Sequence, residues 1–234
     1  MNNTIKCANC ETENPSYRFV CLKCKSYIRE RVFNIDFWLT FWKTFESPVK
    51  TFSNVIFAEH KNFLSFILFL VSVKLSVNTF VLSNLINPKT NLTSNIIENL
   101  FFLIISFFAV FVISAVLLKI ILKVSNINSR FKDNLAILTY AQTPLLFSLF
   151  FIFPVQLGVF GIHWFIFNPN PIMIKSTVAY TFMGIDLILI IWGFIQTIIA
   201  HFVQTRSVFY SIIAAIIFYI IINGLFLIFP FIQS

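Results

Sequence analysis

From residue 63 onward the chain is almost continuously apolar, in runs of about 20 residues parted by short polar segments. At 1.5 Å per residue such a run crosses the ~30 Å hydrocarbon core of a bilayer. Five runs qualify. They cover 63–86, broken only by Lys74; 100–122, with Lys119 near its end; 135–157, with Pro144 and Pro154; 178–202, with Asp186; and 208–230, without charge. A stretch such as Phe101–Leu118 is apolar on every face. A barrel strand would alternate, and only a helix satisfies its own backbone in lipid. With 11% charged residues, against about 25% in an ordinary soluble domain, the expected class is an all-α polytopic membrane protein. Residues 1–32 are polar and hold no apolar core of a cleavable signal, so the first run is expected to act as an uncleaved signal anchor.

Basic residues orient the spans. Lys43, Lys50, Lys61, Lys119, Lys123, Arg130, Lys132 and Arg206 fall near one side, and Lys89 and Lys175 near the other. This puts the N-terminus in the cytoplasm and the C-terminus across the membrane. The net charge of +8 then reflects basic span flanks facing anionic lipid, and no nucleic-acid partner is expected. Asn91-Leu92-Thr93 is a glycosylation sequon in an expected external loop.

All the cysteines lie near the N-terminus, as Cys7-x2-Cys10 and Cys21-x2-Cys24. Two such pairs can wrap one tetrahedral ion from both sides. Four thiolates leave no open position, so the expectation is one structural zinc per chain. Rubredoxin-like iron and disulfides are the alternatives, and a reducing compartment disfavours the latter. A module spanning residues 1–32 has too little core to fold without such a staple.

Residues 33–62 mix aromatics with charge. Trp38, Phe41, Trp42 and Phe45 recur at helical spacing. The expectation is an amphipathic helix lying in the headgroup plane, ended by Pro48, with a soluble helix packed on the zinc module as the alternative.

Lys74 and Asp186 are the ionisable residues deep in spans. They sit ~18 Å and ~12 Å from the outer ends of their helices, a difference that a lysine stem covers. Such charges suggest a relay or a structural interhelical pair, and the pair is the simpler reading. Pro144, with Tyr140, Gln142 and Thr143, loosens the third span, as a kink or as a pocket wall. The chain has no His-Glu-x-x-His helix, no Gly-x-Ser-x-Gly elbow and no phosphate-binding glycine loop. No enzymatic activity is expected.

Several segments resemble prokaryotic Yip1-family proteins that carry an N-terminal zinc ribbon. They are the Phe37–Phe45 helix, the Glu46-Ser47-Pro48 break, the run Phe52–His60, the sequence Tyr140-Ala141-Gln142-Thr143-Pro144-Leu145 opening the third span, and Ile191-Trp192 leading to Arg206. The Asp-Leu-Tyr-Gly-Pro signature of the eukaryotic members is absent. The resemblance covers about residues 34–230 and implies five spans, a cytoplasmic N-terminus and a non-enzymatic role in membrane organisation or trafficking. The expected organisation is therefore a zinc-ribbon module over 1–32, an interfacial region over 33–62 and a five-helix membrane domain over 63–234. The expected function is a scaffold or adaptor in the lipid bilayer, with a cytoplasmic protein partner bound through residues 1–62. A small transporter component using Lys74, Asp186 and the Pro144 kink is the alternative.

Overall fold

The computed structural model describes residues 4–86, 96–166 and 169–232. Lys89 and the Asn91-Leu92-Thr93 sequon lie outside them. The chain begins with an antiparallel pair, β1 (Thr4–Lys6) and β2 (Glu13–Pro15), in the register Ile5 opposite Asn14. After turns and an isolated Val20–Tyr27 bridge, the described elements are helical: α1 (Phe37–Glu46), α2 (Pro48–Phe57), α3 (Leu64–Ile86), α4 (Ile96–Val124), α5 (Phe131–Ala141), α6 (Thr143–Phe147), a π-helical turn (Ser148–Ile152), α7 (Phe153–Phe160), α8 (His163–Ile166), α9 (Pro171–Ile174), α10 (Ser176–Thr205) and α11 (Val208–Ile232). Among the described residues, five stretches are long and apolar enough to cross a membrane: Leu64–Leu85, Ile96–Val124, Thr143–Phe160, Ser176–Thr205 and Val208–Leu225. The protein is an all-α polytopic membrane protein.

The central helix is α3, which packs against α4, α5, α6, α8 and α11. Its buried hydroxyls would be costly if unpartnered. Ser72, Ser76 and Thr79 instead donate to the carbonyls of Leu68, Ser72 and Leu75, one turn back, at 2.7–2.8 Å. Close packing of α10 on α11 depends on Gly193, where an added Cβ would meet the Tyr219 hydroxyl oxygen at 2.8 Å.

The third span departs from the single helix expected over 135–157. The chain forms α5, breaks at Gln142, and restarts with Pro144 in the first turn of α6. Proline has no N–H to continue the ladder, but it fits a helix start. Pro154 has a similar effect: lacking its own N–H, it follows a wider turn in which the Phe153 N–H donates to Ser148 O. Residues 133–146 are all buried, so α5 is enclosed by protein.

The α1–α2 pair differs too. Asp36 caps α1 by accepting the Leu39 N–H at 2.7 Å. The expected shared aromatic face is divided. Phe41 is buried and Phe45 packs on Phe147, whereas Trp38 and Trp42 are exposed. The helix rests on the bundle and not on the metal module: Phe37 touches Phe63 and Phe66, and Gln196 Nε2 donates to Thr44 O at 3.0 Å. The periodicity placed all four rings on one side, but tertiary packing uses only the phenylalanine half of that arc.

Length explains why these helices gather here. The 30 residues of α10 span ~45 Å, about 15 Å more than the hydrocarbon core. Its last third is polar, and Gln196, Thr197, His201, Gln204 and Thr205 are buried. The surplus is covered by α2 and α5, which both pack on α10.

Candidate functional sites

The two cysteine pairs form matching knuckles. Cys7 N–H donates to Thr12 O at 3.1 Å, and Cys21 N–H donates to Ser26 O at 2.9 Å. The residue after each second cysteine, Glu11 or Lys25, has positive φ, 55° and 61°. That left-handed residue turns the chain back so that both sulfurs of a pair face inward. Cys7 Sγ and Cys24 Sγ are 3.5 Å apart, as are Cys10 Sγ and Cys21 Sγ. All four sulfurs lie within 4.8 Å of one another, and all four cysteines are free. A tetrahedral ion with metal–sulfur bonds of 2.3 Å needs sulfurs about 3.8 Å apart. The donor set therefore fits a metal ion.

Asn14 joins the knuckles. It is fully buried; its amide donates to Thr12 O at 2.8 Å and lies 3.5 Å from Cys21 Sγ, while its Oδ1 accepts the Leu22 N–H at 2.9 Å. Ser26 Oγ is 3.1 Å from Cys7 Sγ and 2.9 Å from Cys24 Sγ. Its hydrogen bonds hold the Cys24 thiol down at about 6, which favours the thiolate that a metal requires.

A second cluster had no counterpart in the sequence reading. Lys61 and Arg130 were expected to face headgroups. Instead the Lys61 side chain is 4% exposed, and its ammonium lies 3.2 Å from Asp133 Oδ1. It donates to the carbonyls of Val55, Ile56 and Ala58 at the end of α2, which carry the negative end of the helix dipole. Burial pulls its pKa down to about 8, against the opposing attraction of Asp133. Arg130 binds both Asp133 oxygens at 2.7 and 3.0 Å, donates to Ile56 O, and stacks on Tyr17 of the metal module. From the module side, Arg29 donates to Tyr17 O and Phe57 O and lies 4.1 Å over the Phe57 ring. Arg31 grips Glu59 at 3.0 and 2.9 Å. The cysteine module is thus fastened to the end of α2 and the start of α5. A basic residue just past a helix end was the available signal for Lys61; Asp133 gave none, since its loop looked solvated.

Within the spans, Lys74 Nζ lies 3.2 Å from Asp186 Oδ1. Ser148 donates to Asp186 Oδ1 at 2.5 Å and Gln156 Nε2 donates to Oδ2 at 2.8 Å. The π-helical turn begins at Ser148 and α7 carries Gln156, so the irregularity around Pro154 aims both donors at the carboxylate. Lys74 is fully buried and 5.7 Å from the Phe153 ring centroid. Near Pro144, Gln142 donates to Thr197 Oγ1 at 3.1 Å and accepts from Tyr219 at 3.0 Å. The polar groups beside this break therefore tie α10 and α11 together. Of the histidines, His60 meets the Phe33 ring at the surface and His201 is buried.

Comparison with protein-family models, characterised proteins and solved structures finds no match to this chain.

Proposed function

We propose that the chain is a non-enzymatic membrane scaffold whose cytoplasmic face is a zinc module fixed to a five-helix membrane domain. The observation that carries this reading is the fastening of the module through Arg29, Arg31, Arg130 and Tyr17 to α2 and α5. A domain held this way presents a surface in a set orientation to the bilayer, as an adaptor requires. That surface includes the exposed Leu22 and Tyr27, which a cytoplasmic protein partner would cover. The metal is zinc: four thiolates at tetrahedral spacing form a closed structural site. The N-terminus is cytoplasmic and the C-terminus opposite, in keeping with the basic flanks and an odd number of spans. Trp38 and Trp42 sit at the headgroup level, where exposed tryptophans are favoured. The Yip1-like segments agree with a role in membrane organisation or trafficking.

The transporter alternative would use Lys74, Asp186 and the Pro144 break. The π-helical turn beside Asp186 is the feature in its favour. Against it, the carboxylate is fully engaged by Lys74, Ser148 and Gln156, as in a structural pair. Reconstitution into proteoliposomes separates the two. A scaffold gives no ion or proton flux above that of empty vesicles, and its co-purifying partner is lost when residues 1–32 are removed. Flux abolished by Asp186→Asn would overturn the scaffold reading.

A further inference from the structure

A cleft of about 410 Å³ opens where the metal module meets the membrane domain. Tyr17, Arg18, Phe19 and Val20 of the module line one side, and Glu59 and Arg130 the other. The two arginines are engaged to different extents. Arg130 uses Nε and Nη2 on the Asp133 carboxylate and Ile56 O, and its guanidinium carbon lies 4.9 Å over the Tyr17 ring. Those contacts fix the plane of the group. They leave Nη1, with two N–H donors, without a partner among the described residues, and the side chain is 37% exposed. Arg18 is exposed, and its side chain makes no hydrogen bond or ion pair among the described residues. The carboxylate in the cleft serves neither, because Arg31 holds both Glu59 oxygens.

Charge at this junction is out of balance. Arg18, Arg29, Arg31, Lys61 and Arg130 gather around two carboxylates, Glu59 and Asp133. The crowding is felt by its members: burial, and then Arg130, pulls the Arg29 pKa down, and burial of Lys61 is reinforced by Arg130 and Arg29 against the pull of Asp133. A guanidinium fork matches a carboxylate or a phosphate. A phosphate monoester carries close to two negative charges and three terminal oxygens, enough to accept from both walls at once. A carboxylate or a phosphate diester has one charge and two such oxygens. The rings of Tyr17 and Phe19 and the Val20 side chain suit the organic stem of the ester.

The cleft also lies at the depth of a lipid head. Asp133 joins Arg130, at 2.7 Å, to Lys61, at 3.2 Å, and Lys61 directly precedes the start of α3 at Leu64. The 23 residues of α3 rise ~35 Å, ~5 Å more than the hydrocarbon core. Lipid phosphates of the leaflet on the module's side therefore come level with Arg130.

We infer that this cleft binds a phosphate monoester between Arg18 and the free Nη1 edge of Arg130, and that a lipid of the adjoining leaflet supplies it. Module, membrane domain and bilayer then share one ligand. The site stands apart from Lys74 and Asp186, and it holds for a scaffold and for a transporter alike.

The test titrates the full chain, in non-ionic detergent micelles, with dioctanoyl phosphatidate, and follows binding by calorimetry. Phosphatidate should saturate at one per chain, and dioctanoyl phosphatidylcholine should not bind. Inorganic phosphate should compete at least about ten-fold less well; equal competition would overturn the lipid source and make the cleft a site for soluble phosphate. Arg18→Ala removes a guanidinium that no fold contact uses. It should weaken phosphatidate about ten-fold or more and leave the melting temperature of the ligand-free protein unchanged. Lys6→Ala removes the same charge from an exposed position on the module outside the cleft, and should change affinity by less than about two-fold. Arg130→Lys keeps a cation for Asp133 but loses the free N–H edge, and should weaken binding at least as much as Arg18→Ala. The inference fails if phosphatidate does not saturate, if phosphatidylcholine binds equally, or if Arg18→Ala and Lys6→Ala act alike.

Discussion

Removing either member of the intramembrane pair should be costly, and by unequal amounts. At 3.2 Å the attraction between Lys74 and Asp186 is about 5 kcal/mol at an effective dielectric of 20, most of it offset by desolvation. Breaking a buried pair typically costs ~3–5 kcal/mol, because a charge is left behind. What remains differs between the partners. After Lys74→Met, Asp186 still accepts from Ser148 and Gln156, and hydrogen bonds to a charged group contribute ~1.5–3 kcal/mol each. After Asp186→Leu, Lys74 keeps only the distant Phe153 ring among the described residues, and Ser148 and Gln156 lose their acceptor. We therefore expect Lys74→Met near the lower end of the range, about 3 kcal/mol, and Asp186→Leu at about 5 kcal/mol or above. The double variant should recover about 2 kcal/mol or more relative to the sum, since it strands no charge. Equilibrium unfolding in mixed micelles, followed through a full double-mutant cycle, measures all three. Effects additive to within about 0.5 kcal/mol, or a larger loss for Lys74→Met than for Asp186→Leu, would refute the reasoning.

The remaining predictions concern the cysteine module, the topology and the Lys61 cluster. Purified protein should contain one zinc per chain, and changing Cys7, Cys10, Cys21 or Cys24 to Ser should remove it while the spans stay inserted; a metal-free preparation with four titratable thiols would contradict this. Asn14→Ala should weaken zinc retention in a chelator competition, because it deletes the bridge to the Leu22 N–H; unchanged retention would show that the cysteines alone set the geometry. Reporter fusions should be cytoplasmic within 126–132 and non-cytoplasmic at Ser234, and an active cytoplasmic reporter at Ser234 would exclude five spans. Lys61 has a lower pKa folded, about 8, than the ordinary lysine value of 10.5. Across that window the unfolded chain binds the proton more tightly, so stability should rise with pH, and Lys61→Met should flatten that part of a melting-temperature profile.

The parts of this fold that were legible in the sequence are those set by local chemistry. Apolar runs long enough to cross a bilayer gave the span positions to within a few residues outside the third span, and cysteine spacing identified four sulfurs that come close enough to hold a metal ion. Matching depths of Lys74 and Asp186 pointed to their juxtaposition because a bundle leaves few places for two charges. What stayed hidden was set by partners distant in sequence. Asp133 looked like a loop acid because nothing local reveals that Lys61 and Arg130 enclose it. Gln142 was legible only as part of the Pro144 break, and Gln196 carried no signal, because Thr197, Tyr219 and Thr44 reach them only through helix packing. The α1 periodicity identified an amphipathic helix, but it could not tell a lipid surface from a phenylalanine-lined one, since both accept the same side chains.

The length of α10 bears on how the protein is made. The hairpin of α1 and α2 leaves the ribosome early, yet Thr44 is 152 residues ahead of Gln196, the residue that receives it. At 5–20 residues per second, roughly 8 to 30 s pass before that seat exists. The metal module can close around its ion in that time, and Phe37 and Phe45 can meet Phe63, Phe66 and Phe147, but the hairpin still lacks its seat on the polar end of α10. A nascent chain arrested before residue 190 should therefore hold this hairpin accessible to protease or to chaperones, and one arrested well past 206 should protect it. Docking of the hairpin is then a late event in biogenesis, one that reports completion of the fourth span.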